Sequence, residues 1–265
     1  MKNAFCMLMI SLLFVAGPVS AQPPGYSSDT DTGGGDGGGG GSRDMKIALA
    51  WGEQLKPPAR YLRFIINLRD AMIRWGGSSP EILGQFRIGS PDLMKLTVLF
   101  ISADQAFEIT DTEKKNLQSF IAKGGLIVVD DASASMPNSA SAASLSKMIK
   151  DIAGSKRLAP VPNSHEIYTI PNMLGGPPQG SDNSMVVVQS MSGSTEIGSA
   201  PSDKADDSVV KGASSSTLQG ITINGRLAIL FCTKGYTPKW NENSNNDPQL
   251  KFGVNLIRYG ASTRK

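Results

Sequence analysis

Cysteine is nearly absent. The 265 residues hold two, Cys6 and Cys232. Cys6 falls in an N-terminal stretch that reads as a cleaved leader. The mature chain then has no partner for Cys232 and no internal disulfide, so its fold must rest on a hydrophobic core. Histidine is scarcer still. His165 is the only one, which removes the usual multi-histidine zinc sites. An excess of one charge is also missing. The chain carries 26 basic and 23 acidic side chains, and dropping Lys2 with the leader leaves 25 against 23, or +2. Spread along the chain, that balance excludes a nucleic-acid stripe and a polybasic membrane patch. Arg60, Arg63, Arg69 and Arg74 recur along one segment and read as a solvated helix face. Beyond the N-terminus no apolar run reaches the roughly 20 residues that cross a bilayer.

What is present begins with that N-terminus. Lys2 is followed by an almost wholly apolar run over residues 4–16 (AFCMLMISLLFVA). Gly17-Pro18 breaks it, and Val19-Ser20-Ala21 offers small residues at the cleavage positions. Residues 1–21 therefore read as a signal peptide cut after Ala21, in competition with a membrane anchor. No cysteine stands at the cut for lipid attachment. Residues 22–43 contain Pro23-Pro24 and GGGDGGGGG over 33–41. Such a stretch has nothing to bury and reads as a disordered linker. Its glycines follow no strand and open no helix, so they form no phosphate-binding loop.

A single domain is expected over residues 44–263. Residues 46–51 (KIALAW) read as a strand. A helix is expected over 59–75, with Leu62, Ile65, Ile66, Met72 and Ile73 at helical spacing, stopped by Gly76-Gly77. A short strand is expected near 81–86. The run 96–102 (LTVLFIS) reads as a strand covered on both faces. Thr110 and Glu113 form a capping-box pattern ahead of Leu117, Phe120 and Ile121. Residues 126–129 then read as a strand running into Asp130-Asp131, and a helix follows over 140–153. Repeated strand–helix–strand units imply an α/β fold with a mainly parallel sheet. Residues 172–217, rich in Gly, Ser, Asp and Pro, read as a flexible insertion with one apolar run at 185–188. Asn224-Gly225 predicts a C-terminal hairpin within 220–231. A last helix is expected over 248–259.

Four blocks resemble one family. They are residues 100–131 (FISADQAFEITDTEKKNLQSFIAKGGLIVVDD), 157–168 (RLAPVPNSHEIY), 218–231 (LQGITINGRLAILF), and 251–260 (KFGVNLIRYG) after a tryptophan. Their order and spacing resemble the bacterial DUF4159 family, a domain of unknown function, over most of 45–262. The chain departs from the family pattern at Ala50-Trp51-Gly52-Glu53, at Ser102-Ala103-Asp104 and at Ala132-Ser133-Ala134-Ser135. The resemblance implies a flavodoxin-like three-layer sandwich similar to class I glutamine amidotransferase domains. Amidotransferase chemistry needs a cysteine on a tight strand-to-helix turn with small neighbours. Cys232, followed by Thr233-Lys234-Gly235, reads instead as a small buried thiol. A Gly-x-Ser-x-Gly elbow is absent as well.

The candidate site residues follow from strand ends. Ligands of open α/β sheets bind outside the carboxyl ends of the strands, where Asp130 and Asp131 fall. Neighbouring strand residues face opposite sides, so only one of the pair can face a given pocket. Each acid either serves a ligand or metal or satisfies loop N–H groups. His165 is either a base or ligand or a structural hydrogen-bonding residue. A mixed metal site with Asp130 or Asp131, His165 and Glu53 is the weaker reading. Trp240 either lines a pocket or covers the core. The function expected is a noncatalytic binding or scaffolding domain, periplasmic or secreted. It would hold an envelope protein or a small ligand of unknown identity, with no cofactor assigned. The alternative is a metal-assisted hydrolase using Asp130 or Asp131 with His165.

Overall fold

The computed structural model describes residues 45–136, 138–182 and 217–264. The expected signal peptide, the linker and the apolar run at 185–188 lie outside the described residues. The strands are β1 (Lys46–Trp51), β2 (Glu81–Arg87), β3 (Val98–Ala103), β4 (Leu126–Asp131), β5 (Ala159–Pro160), β6 (Gln219–Ile223) and β7 (Arg226–Cys232). The helices are α1 (Phe64–Trp75), α2 (Asp111–Ala122), α3 (Ala140–Ala153), α4 (Tyr236–Asn241) and α5 (Asp247–Thr263). One seven-stranded mixed sheet runs in the order β2-β1-β3-β4-β7-β6-β5. Its first five strands are mutually parallel. β6 and β5 then continue it by antiparallel pairing.

The two-residue period of the central strands divides the core. Val98 and Phe100 of β3 join one buried cluster with the inward faces of α1 and α5. Leu99 and Ile101 join a second with α2 and α3. Helices thus cover both faces, as apolar strands without polar alternation require. Thr110 and Glu113 form the expected capping box: Glu113 N donates to Thr110 Oγ1 at 3.3 Å, and Thr110 N donates to Glu113 Oε2 at 2.8 Å. Asn224 and Gly225 hold φ of 52° and 74° at the β6–β7 turn, the conformation an Asn-Gly hairpin favours.

Several expectations need correction. The helix expected over 59–75 is two pieces, a 3-10 turn at Ala59–Tyr61 and then α1. Pro58 stays extended (φ −61°, ψ 116°) and its carbonyl accepts from Tyr61 N at 2.9 Å, closing a tight turn first. The buried face of α1 is Phe64, Ile65, Leu68, Ala71 and Met72, whereas Ile66 and Ile73 are exposed. The front of the expected insertion is packed. Asn172 N donates to Asn255 Oδ1 at 2.9 Å, and Leu174 leans on the core. Farther on, the Tyr236 hydroxyl donates to Pro178 O at 2.6 Å. A Cβ at Gly180 would run into the carbonyl of Lys234. This segment therefore lies flat over the end of β7 up to Asp182. No helix among the described residues is long and apolar enough to cross a membrane.

Candidate functional site

The paired acids at the end of β4 are both buried, at 2% and 5% exposure, and they face opposite ways. Asp130 turns toward α4. Its Oδ1 accepts from Tyr236 N at 2.8 Å and its Oδ2 from Thr237 N at 2.7 Å. The carboxylate thereby satisfies donors that the first turn of a helix leaves without intrahelical partners. Burial pushes its pKa up to about 6. The Thr237 and Tyr236 N–H groups pull the other way, and the neighbouring Asp131 adds to the rise. Asp131 turns toward α3. Its Oδ1 accepts from Ser133 N at 3.0 Å, Ser139 Oγ at 2.8 Å and Ser141 Oγ at 2.7 Å. Asp130 spends both oxygens, and Asp131 its Oδ1, on the backbone and hydroxyls that build this edge.

His165 is at the other end of the sheet. Its Nδ1 accepts from Ile167 N at 3.3 Å, capping the 3-10 turn Glu166–Tyr168. Its ring packs 5.2 Å from that of Tyr259, whose hydroxyl accepts from Leu227 N at 2.8 Å. Leu227 is the second residue of β7, while Asp130 pairs with Cys232 at its end. Five residues of strand amount to about 16 Å. The histidine and the aspartates therefore share no site. Burial lowers the His165 pKa, with Glu166 opposing. Glu53 is exposed, and its backbone N–H is held by Glu113 Oε1 at 2.8 Å. No group of three His, Cys, Asp or Glu that could hold a metal occurs among the described residues.

Trp240 is fully buried. It stacks on Phe64 and Tyr236 and meets Phe100 edge-on. Its Nε1 donates to Gln249 O at 2.6 Å. It belongs to the core and lines no surface. Cys232 is fully buried too, and burial followed by Asp130 pushes its thiol pKa well up. A thiol in that setting is a poor nucleophile.

The open part of the carboxyl edge lies elsewhere, where the strand order reverses between β1 and β3. A crevice of about 330 Å³ runs between the loop after β1 and the loop after β3. Gln54, Lys56, Pro57 and Pro58 form one wall, and Asp104, Gln105 and Phe107 form the other. The loops are tied at two points. Gln54 Oε1 accepts from Glu108 N at 3.1 Å, and Arg60 Nη2 pairs with Asp104 Oδ2 at 3.3 Å. The loop after β1 is itself seated by Glu113, because a Cβ at Gly52 would approach Glu113 Oε1 to 2.6 Å. Of the lining residues, Lys56 holds its Nζ 3.0 Å from Gly52 O and 4.5 Å from the ring centroid of Trp51, which the Arg87 guanidinium also approaches to 4.9 Å.

The crevice offers an ammonium, a carboxylate and two amides, with no histidine or cysteine in its lining. Such a set can bind by hydrogen bonds and charge, and it supplies no activated nucleophile. Sequence reasoning passed over Gln54, Lys56 and Gln105. The signal that marks them is their position just past the ends of two neighbouring strands, which only the strand order reveals.

A family model described as "Domain of unknown function (DUF4159)" matches residues 79–260, more than half of the chain. The match begins after β1, so one wall of the crevice comes from residues ahead of it. No curated protein matches the chain.

Proposed function

The chain belongs to the DUF4159 family, and on that premise we propose that it is a noncatalytic binding domain of the bacterial periplasm or exterior. It holds a small polar ligand or a polar segment of an envelope protein at the carboxyl edge of its sheet. One observation carries this reading: the crevice lies at the β1/β3 reversal, the place where open α/β sheets take their ligands. The parallel order β2-β1-β3-β4-β7 supports a flavodoxin-like arrangement, and with it the likeness to amidotransferase domains. The buried Cys232 supports a version of that arrangement without the nucleophile. The metal-assisted hydrolase reading draws no support from the geometry, because His165 and the two aspartates stand at opposite ends of β7.

The test is a thermal-shift screen of residues 44–265 with amino acids, nucleotides, cell-wall fragments and divalent metals. A ligand at a hundred times its Kd adds about 2.7 kcal/mol, which a melt resolves. The expected result is a shift that Lys56→Gln and Asp104→Asn abolish while Asp131→Asn keeps it. A metal-dependent shift, reversed by EDTA and lost in Asp131→Asn, would overturn the reading in favour of the hydrolase.

A further inference from the structure

A cavity larger than the crevice lies at the opposite, amino-terminal edge of the sheet. It measures about 630 Å³ and sits between the end of α2, the β6–β7 turn and the end of α5. Three basic side chains line it, Lys123, Arg226 and Arg264, and no acidic residue does. Arg226 is held in place by carbonyls. Its Nη2 donates to Ile121 O at 2.8 Å, and its Nη1 donates to Gly125 O at 3.2 Å and Leu227 O at 3.3 Å. Carbonyls orient a guanidinium without cancelling its charge. Arg264 donates from Nη2 to Met94 O, while its Nη1 is buried and meets no acceptor among the described residues.

Desolvation lowers the pKa of both arginines, and no carboxylate offsets it for either. An arginine remains charged regardless, so two partly desolvated cations face one cavity with no counter-charge from the described residues. That imbalance costs free energy in the empty state and is relieved by an oxyanion, which a guanidinium receives through paired N–H donors. The rest of the lining decides between a bare ion and an organic one. Ile121, Ala122 and Ile223 give the cavity an apolar wall. The volume lies in the range of about 300–1,000 Å³ that organic ligands occupy, far more than an inorganic ion fills.

We propose that this cavity binds an organic carboxylate. Its oxyanion lies among Arg226, Arg264 and Lys123, and its apolar body lies against Ile121, Ala122 and Ile223. The site is separate from the crevice at the β1/β3 reversal, so each stands or falls alone.

The experiment is a titration of the ¹⁵N-labelled full chain with octanoate, with 1-octanol and with inorganic phosphate, followed by amide shifts. The expected result is that octanoate moves the amides of Lys123, Gly124, Asn224 and Gly225. Arg264→Gln should weaken octanoate at least tenfold, and 1-octanol should bind at least tenfold more weakly than octanoate. Lys123→Gln, on a side chain outside the core, should weaken it several-fold and guards against a folding defect in the arginine variant. Still amides at the cavity would overturn the proposal. So would equal binding of octanoate and 1-octanol, unchanged affinity in both variants, or phosphate binding as tightly as octanoate.

Discussion

Replacing Asp131 in two steps measures what the carboxylate does at the end of β4. All three of its hydrogen bonds end on Oδ1, from Ser133 N, Ser139 Oγ and Ser141 Oγ. Together they tie the strand end to the turn after it and to the start of α3. Bonds to a buried charged group are each worth about 1.5–3 kcal/mol net. Asp131→Asn keeps an acceptor oxygen in the same place, loses the charge and puts an amide NH2 where Oδ2 stood, so it should cost about 1–1.5 kcal/mol. Asp131→Ala removes the acceptor. Ser139 and Ser141 lie 2.9 Å apart and can then bond each other, which leaves the Ser133 N–H as the main orphan. That variant should cost about 3–4 kcal/mol. In a domain of this size each kcal/mol moves Tm by about 2–4 °C, so the two variants separate clearly. Urea unfolding followed by circular dichroism gives both free energies. If Asp131→Ala unfolds within about 0.5 kcal/mol of the wild type, the spread of ordinary surface substitutions, the reasoning fails. It also fails if the asparagine variant costs as much as the alanine one.

The other predictions follow from the same contacts. Asp130 has a folded pKa of about 6 against an ordinary 3.8, so between those values the native state binds more protons than the unfolded chain. Its contribution is fully present below the lower value, is lost as pH rises to 6, and amounts to about 3 kcal/mol. Urea unfolding at pH 4, 5, 6 and 7 should show this falling component in the wild type, and subtracting the Asp130→Asn curve should isolate it. Gly52→Ala should cost about 2 kcal/mol, because the added Cβ displaces Glu113 from the bonds it accepts; a Glu113→Ala background should erase most of that cost in a double-mutant cycle. Trp240→Ala should cost about 3–5 kcal/mol as a core cavity and should lower the near-ultraviolet circular dichroism. An unchanged melting temperature would instead place Trp240 at a surface.

Much of the fold is local physics and was readable. The strand at β4 is a run of apolar residues too short and too uniform for a surface helix. The N-terminus of α2 announces itself in Thr110 and Glu113, three residues apart, because the capping bonds close within one turn. Asn224-Gly225 marks the hairpin because those two residues accept the left-handed backbone that the turn requires. The helix α3 fell at its expected bounds. The six-residue α4 was missed, since it spans under two turns and shows no period. Its start is set by Asp130, more than a hundred residues earlier in the chain.

The sequence by itself determined the alternation of strands and helices, the membership of Asp130 and Asp131 in a strand end, and the burial of Cys232. It did so because period, capping and turn chemistry act between residues a few positions apart. Tertiary structure alone decided the order of the strands. That order opened the crevice at β1 and β3, while helix packing set His165 against Tyr259 near the start of β7, away from the aspartates at the sheet's other edge, and drew Trp240 into the core. Side chains at a strand end look the same in sequence whether they face a ligand or a helix N-terminus. Which one they face depends on what the distant chain packs against them.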